Sequence, residues 1–223
     1  GAESYAMPAG ELPAYVSEAA DAAVLGADLG VDVLVGIEID AVPEALEHAR
    51  TALAEHAFDI VLGSVHFIDG WAFDDPERTA GYESWDLGEL WGRYFEDLAG
   101  AARSGLVDVM AHADLVKKFC GRPGMPVDAL YAEAASALRQ AGVAVEVNTA
   151  GLRKPCRELY PAAAFLAELS KRGVPVTVGS DAHAPAEVGA GRIEAVAALR
   201  EAGYRSVLVF RNRVAEEIGV DEL

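Results

Sequence analysis

Apolar and polar positions alternate with a period of two in six short stretches, at residues 31–40, 59–67, 106–114, 142–149, 174–180 and 206–210. That period predicts β-strands. Between them lie stretches with helical spacing, at 43–56, 86–104, 127–141, 161–172 and 192–202. Several have readable ends. Pro126 precedes one and Pro161 opens another, while Gly105, Gly142, Gly173 and Gly203 stand just past the last helical residue. Proline early and glycine late is the asymmetry expected of helices. Strands alternating with helices predict parallel strands joined by right-handed crossovers, an α/β fold.

An open doubly wound sheet and a barrel both satisfy that rhythm. Strand parity separates them. Glu38 and Asp40 share one face, as do Ser64 and His66, Glu146 and Asn148, and Thr177, Gly179, Asp181 and His183. In the third stretch the alternation groups Asp108, Met110, His112 and Asp114. Five polar or small faces, each closing on a ligand-type residue at the C-terminal end of its strand, predict a shared interior. A barrel gathers those ends in one place.

The chain has 223 residues, 52% of them hydrophobic and 24% charged, enough to bury a sizeable core. No Gly/Ser-rich or Pro-rich linker divides it, so a single domain over residues 1–223 is expected. Asp and Glu number 36 against 18 Lys and Arg, a net charge of −18. Such a surface repels phosphate backbones and anionic lipids, which argues against nucleic-acid and membrane partners. No apolar run reaches membrane-spanning length and no leader pattern is visible. Two isolated cysteines, Cys120 and Cys156, make no framework, and reduced thiols in a cytoplasmic protein are expected.

Five histidines remain. His48 and His56 fall in a helical stretch and read as surface residues. His66, His112 and His183 each close a strand, and Glu38 and Asp181 close strands beside them. Imidazole and carboxylate together suit Zn, Mn or Fe. A carboxylate such as Glu38 can bridge two metals, a geometry that favours phosphate-ester hydrolysis. Cations are scarce, so Arg153 and Lys154 after the fourth strand, and Lys117 and Lys118 after the third, are candidate phosphate contacts.

Five segments carry a family resemblance: residues 36–40 (GIEID), 63–74 (GSVHFIDGWAFD), 111–119 (AHADLVKKF), 146–155 (EVNTAGLRKP) and 179–183 (GSDAH). Together they resemble the histidinol-phosphatases of the PHP superfamily. The resemblance implies a distorted (β/α)7 barrel related to the TIM barrel, with a di- or trinuclear centre of divalent metals. It also implies hydrolysis of L-histidinol phosphate to L-histidinol and phosphate in histidine biosynthesis. It assigns Glu38, His66, His112, Asp181 and His183 as metal ligands, with Glu38 bridging. Arg153 is assigned to phosphate and, with Asp114, to the catalytic set; Asp114 would orient a ligand or water. Ser64, Trp71 and Lys117 join Arg153 as expected substrate contacts, and Asp69, Asp74 or Glu146 is expected to take the substrate ammonium. Two other readings stay open: a phosphoesterase for another small ester, and a catalytically dead metal-binding or regulatory protein.

The family pattern begins with a strand carrying His-x-His and a second unit ending in another histidine. No histidine precedes His48 here. The expectation is a chain lacking its first two βα units, with those ligands on a preceding segment of a longer protein.

Overall fold

A computed structural model describes residues 6–41 and 46–223. In chain order the helices and strands are α1 (Leu12–Asp28), β1 (Gly36–Asp40), α2 (Leu46–Glu55), β2 (Ile60–Ser64), β3 (Phe67–Ile68) and β4 (Trp71–Ala72). Then come α3 (Leu87–Ala102), β5 (Val109–Met110), α4 (Lys117–Cys120), α5 (Asp128–Ala141) and β6 (Ala144–Asn148). The chain continues through α6 (Ala163–Lys171), β7 (Val176–Gly179), α7 (Arg192–Ala202), β8 (Ser206–Arg211) and β9 (Val214–Gly219). The start of the helical stretch expected at Pro43 lies outside the described residues, as does the side chain of Cys120. Cys156 is a free thiol.

The main sheet has the order β1-β2-β5-β6-β7, parallel throughout. Strands appear in it in chain order with no reversal. A doubly wound sheet has a switch point where the order reverses; an arc without one is the wall of a barrel.

The register defines the inner face. Glu38 pairs with Leu62, Leu62 with Val109, Val109 with Ala144, and Asn148 with Gly179. Paired residues point the same way, so Glu38, Asp40, Ser64, Glu146 and Asn148 line one side. Lower on that side, Val109, Ala144 and Phe210 pack with Ile60, Leu62 and Leu208 as a small inner core. The opposite face packs against helices. Tyr131 of α5 stacks on Phe165 of α6 at 4.7 Å, and Phe95 of α3 meets Phe165 edge-on at 5.4 Å. Helix ends follow the expected chemistry. Asp86 accepts the N–H groups of Gly88 and Glu89 at the start of α3, and Gly142 and Gly203 end α5 and α7 at φ of +72° and +93°.

Two expectations need correction, and one helix is additional to them. The third strand does not carry Asp108, Met110, His112 and Asp114 on the inner face. Val109 is the inward residue, and Met110 is buried in the outer core. The strand ends at Met110, and His112 has φ of +28°, so a backbone turn rather than alternation aims its side chain. The sixth strand, β8, is not a parallel member of the sheet. It pairs antiparallel with β9 through Asn212 and Arg213, whose φ values of +50° and +61° make the tight turn that suits strand twist. Finally, α1 was not anticipated. Val24, Leu25 and Leu29 stay exposed on and just after it, so it carries no clean apolar stripe.

The hairpin tip bolts the base of the arc. Asn212 N–H donates to Asp59 Oδ1 at 2.9 Å and Arg213 N–H to the Asp59 carbonyl at 2.8 Å. The Arg213 guanidinium holds both oxygens of Asp108 at 2.9–3.1 Å and the Leu106 carbonyl at 2.7 Å, while Arg211 pairs with Asp32 at 2.6 Å.

Candidate metal centre

Glu38 is the central residue of β1, on the inner face of the arc. His66 follows β2 and His112 follows β5. Their ring nitrogens converge on one atom: His112 Nε2 lies 3.3 Å, and His66 Nε2 3.5 Å, from Glu38 Oε1. The two rings are 5.1 Å apart. Each of the three residues offers a ligand atom within 4.8 Å of the other two.

Neighbours fix this geometry. Asp40, two residues after Glu38 and on the same face, meets His66 Nδ1 at 2.6 Å. A carboxylate on one ring nitrogen leaves the other aimed at the site, as in many histidine metal ligands. Alternation pointed to Asp40's face, but its bond to His66 depends on the tertiary approach of β1 and β2. Ser64 donates to the Ile39 carbonyl at 3.1 Å.

The charges of the cluster are interlocked. Burial alone would raise the pKa of Glu38, but the hydrogen bond and charge of His112, with His66 and Ser64, hold it at about 2. Burial would lower that of His112, and it is outweighed by the bond and charge of Glu38 and the charges of Glu146 and Asp181, which raise it to about 9. In the metal-free chain the cluster therefore stores a proton where two imidazoles and a carboxylate could hold a cation. His112 Nδ1 is buried and meets no partner among the described residues. The donor set fits Zn, Mn or Fe.

Asp181 lies two residues past the end of β7, at φ of +47°. Its Oδ2 accepts from Asn148 Nδ2 at 3.2 Å. His183 does not join the three converging residues. Its side chain is 77% exposed, with Nδ1 3.1 Å from the Asp181 carbonyl, and its N–H donates to Glu187 at 2.9 Å. Arg153, on the turn after β6, donates through Nη2 to the carbonyls of Ser180 and Asp181 at 2.8 and 3.2 Å. It thus touches the loop that carries Asp181.

Other expected residues are committed elsewhere. Asp114 is fully buried, and its Oδ2 accepts from Lys117 Nζ and Ala162 N–H, both at 2.8 Å. Lys117 is 2% exposed and also donates to the Leu159 carbonyl at 2.6 Å. Trp71 packs edge-on to Tyr82 at 4.7 Å and donates to the Arg78 carbonyl at 3.1 Å. Asp69 pairs with Arg93 at 3.1 Å and Asp74 with Lys118 at 3.2 Å. Glu146 is buried in the site, where burial raises its pKa against the opposing pull of His112 and Asn148. His48 is exposed on α2, and His56 lies edge-on to Phe58 at 6.3 Å.

Residues 6–150 match the PHP domain, and residues 164–202 match a PHP-associated family. A Deinococcus radiodurans protein named "Probable histidinol-phosphatase" is 42% identical over 204 residues, covering 91% of this chain and 76% of that protein. A Clostridium acetobutylicum protein of the same name is 30% identical over 167 residues, covering 70% of this chain and 63% of its own length. A crystal structure of histidinol phosphate phosphatase from Lactococcus lactis, complexed with zinc, L-histidinol and phosphate, superimposes with a TM-score of 0.74 at 19% identity. The match covers 92% of this chain and 79% of that one. Among the described residues no helix is long and apolar enough to cross a membrane.

Proposed function

The chain belongs to the PHP domain family, and on that premise we propose that it is a metal-dependent phosphomonoesterase hydrolysing L-histidinol phosphate to L-histidinol and phosphate. The observation that carries this reading is the convergence of His66 and His112 on one oxygen of Glu38, in a chain 42% identical to a protein named for that activity. The reading assigns the chain to histidine biosynthesis, in the cytoplasm.

When bound, divalent metals at such a site acidify water and draw charge from the phosphoryl oxygens. In this reading the chain's own residues divide the roles. Glu38, His66 and His112 hold the cation, with Asp40 keeping the His66 ring in line. Asp181 and His183 extend the donor set from the loop after β7. Arg153, beside that loop, offers its remaining N–H groups to the phosphate. Asp114 and Lys117 act at one remove, as a buried pair that braces the chain after His112. Ser64 holds the Ile39 carbonyl next to Glu38. Water forms a new bond to phosphorus as the P–O ester bond breaks; the ester oxygen leaves with histidinol and takes up a proton from that water, and phosphate is released.

The test is turnover of histidinol phosphate against a panel of small phosphate monoesters, with metal content measured on the same sample. Chelation should abolish turnover and zinc or manganese should restore it. A clear preference for another ester would reassign the substrate. Stoichiometric metal without turnover of any ester would leave a metal-binding protein that is not a phosphatase.

A further inference from the structure

Strand β6 supplies no member of the converging donor group, yet it carries two buried polar side chains, Glu146 and Asn148. Their bonds run outward to both neighbouring strands. Glu146 Oε2 accepts the backbone N–H of His112 at 3.2 Å. Asn148 Nδ2 has two N–H bonds: one reaches the same Glu146 oxygen at 2.9 Å and the other Asp181 Oδ2 at 3.2 Å. Its Oδ1 accepts from Ala150 N–H at 2.8 Å, at the start of the turn that bears Arg153. Asn148 is itself pinned, exchanging backbone hydrogen bonds with Tyr160 at 2.6 and 3.0 Å.

We propose that Glu146 and Asn148 form a positioning hub, which holds His112 on one side and Asp181 on the other in place at the metal centre. The inference rests on the metal-centre reading above. The backbone of His112 shows why a hub is needed. Its φ of +28° is a conformation that residues with side chains rarely adopt, and such a conformation persists only where surroundings hold it. The Glu146 carboxylate supplies that hold at the N–H. Asn148 serves because its amide nitrogen offers two donors to two carboxylates from one atom; an aspartate there would set three carboxylates together without a proton between them. Gly179 completes the arrangement. Glu146 Oε1 lies where a Cβ on residue 179 would stand, so any side chain there would push the carboxylate away from His112.

The test is zinc affinity, measured by competition with a chromophoric chelator, alongside urea unfolding in excess EDTA. Asn148→Ala and Gly179→Ala should each weaken zinc binding by about 10- to 100-fold, the scale for residues that orient metal ligands. Glu146→Gln keeps an acceptor for His112 N–H and should stay within about threefold of wild type, whereas Glu146→Leu should fall with the alanine variants. Gly179→Ala adds one methyl outside the donor set and carries the test if Asn148→Ala does not fold. Wild-type zinc affinity in folded Asn148→Ala or Gly179→Ala would overturn the hub. So would Glu146→Gln losing zinc as fully as Glu146→Leu, since Glu146 would then be a ligand. A wild-type chain that binds no zinc would instead refute the metal-centre reading, and the hub with it.

Discussion

Replacing Lys117 with methionine removes a buried ammonium while keeping much of its apolar stem. Lys117 is 2% exposed and Asp114 fully buried, so the change leaves a carboxylate in the interior without its cation. Breaking one side of a buried pair typically costs about 3–5 kcal/mol. Here the Ala162 N–H still donates to Asp114, which favours the low end, while the Leu159 carbonyl loses its donor, which adds about 1 kcal/mol. The expected loss is about 4 kcal/mol, a large part of the stability of an ordinary domain. Burial already raises the pKa of Asp114 against the pull of Lys117, and without the ammonium the carboxyl should take up a proton instead. Urea unfolding at neutral pH measures the loss. Adding Asp114→Asn should recover about half of it, because the amide oxygen can still accept from Ala162 N–H without a charge to bury. A Lys117→Met protein within about 1 kcal/mol of wild type but poor in kcat/KM would refute the reasoning and make the ammonium a substrate contact.

In the metal-free chain the raised pKa of His112 stabilises the fold fully below 6.5, and that contribution is lost as pH rises through about 9. Urea midpoints in EDTA should therefore fall between about pH 6 and about pH 9.5, by on the order of 1–2 kcal/mol once the open side of Glu38 is allowed for. A zinc-saturated sample should not show that fall, and an equal fall in both would sink the idea. Asp40→Asn should weaken zinc binding by about 10-fold, because His66 loses its charged partner; chelator competition with unchanged affinity would show that His66 needs no such support. Arg153→Ala should lower kcat/KM for histidinol phosphate by about 2–4 kcal/mol with metal content intact, and wild-type kinetics would remove this residue from the site.

Much of this architecture was legible where local chemistry decides it. Gly142 and Gly203 end their helices because glycine takes positive φ without strain, and Glu38 and Asp40 face inward because β1 stays extended. Alternation fails where extension fails. His112 was picked out as a site residue, but by a parity that Met110 contradicts; its aim depends on a turn that Glu146 holds from another strand. The His66–Asp40 bond and the commitment of Lys117 to Asp114 depend on which elements come together, and no spacing encodes that. The hairpin was missed for a simpler reason. Val214–Gly219 carries Glu216 and Glu217 in its middle and does not read as a strand until Ser206–Arg211 lies beside it.

That hairpin has a kinetic consequence. Arg211 reaches back across 179 positions of sequence to Asp32, and Arg213 across 105 to Asp108. Contacts so far apart in the chain form slowly, because a large loop must close before they yield any stabilisation. During synthesis β1 to β7 emerge before the tip does, so the nascent arc waits with Val109 and Ala144 uncovered by Phe210. Over that interval the emerging chain is a substrate for chaperones and a hazard for self-association, and arrival of the tip ends its exposure.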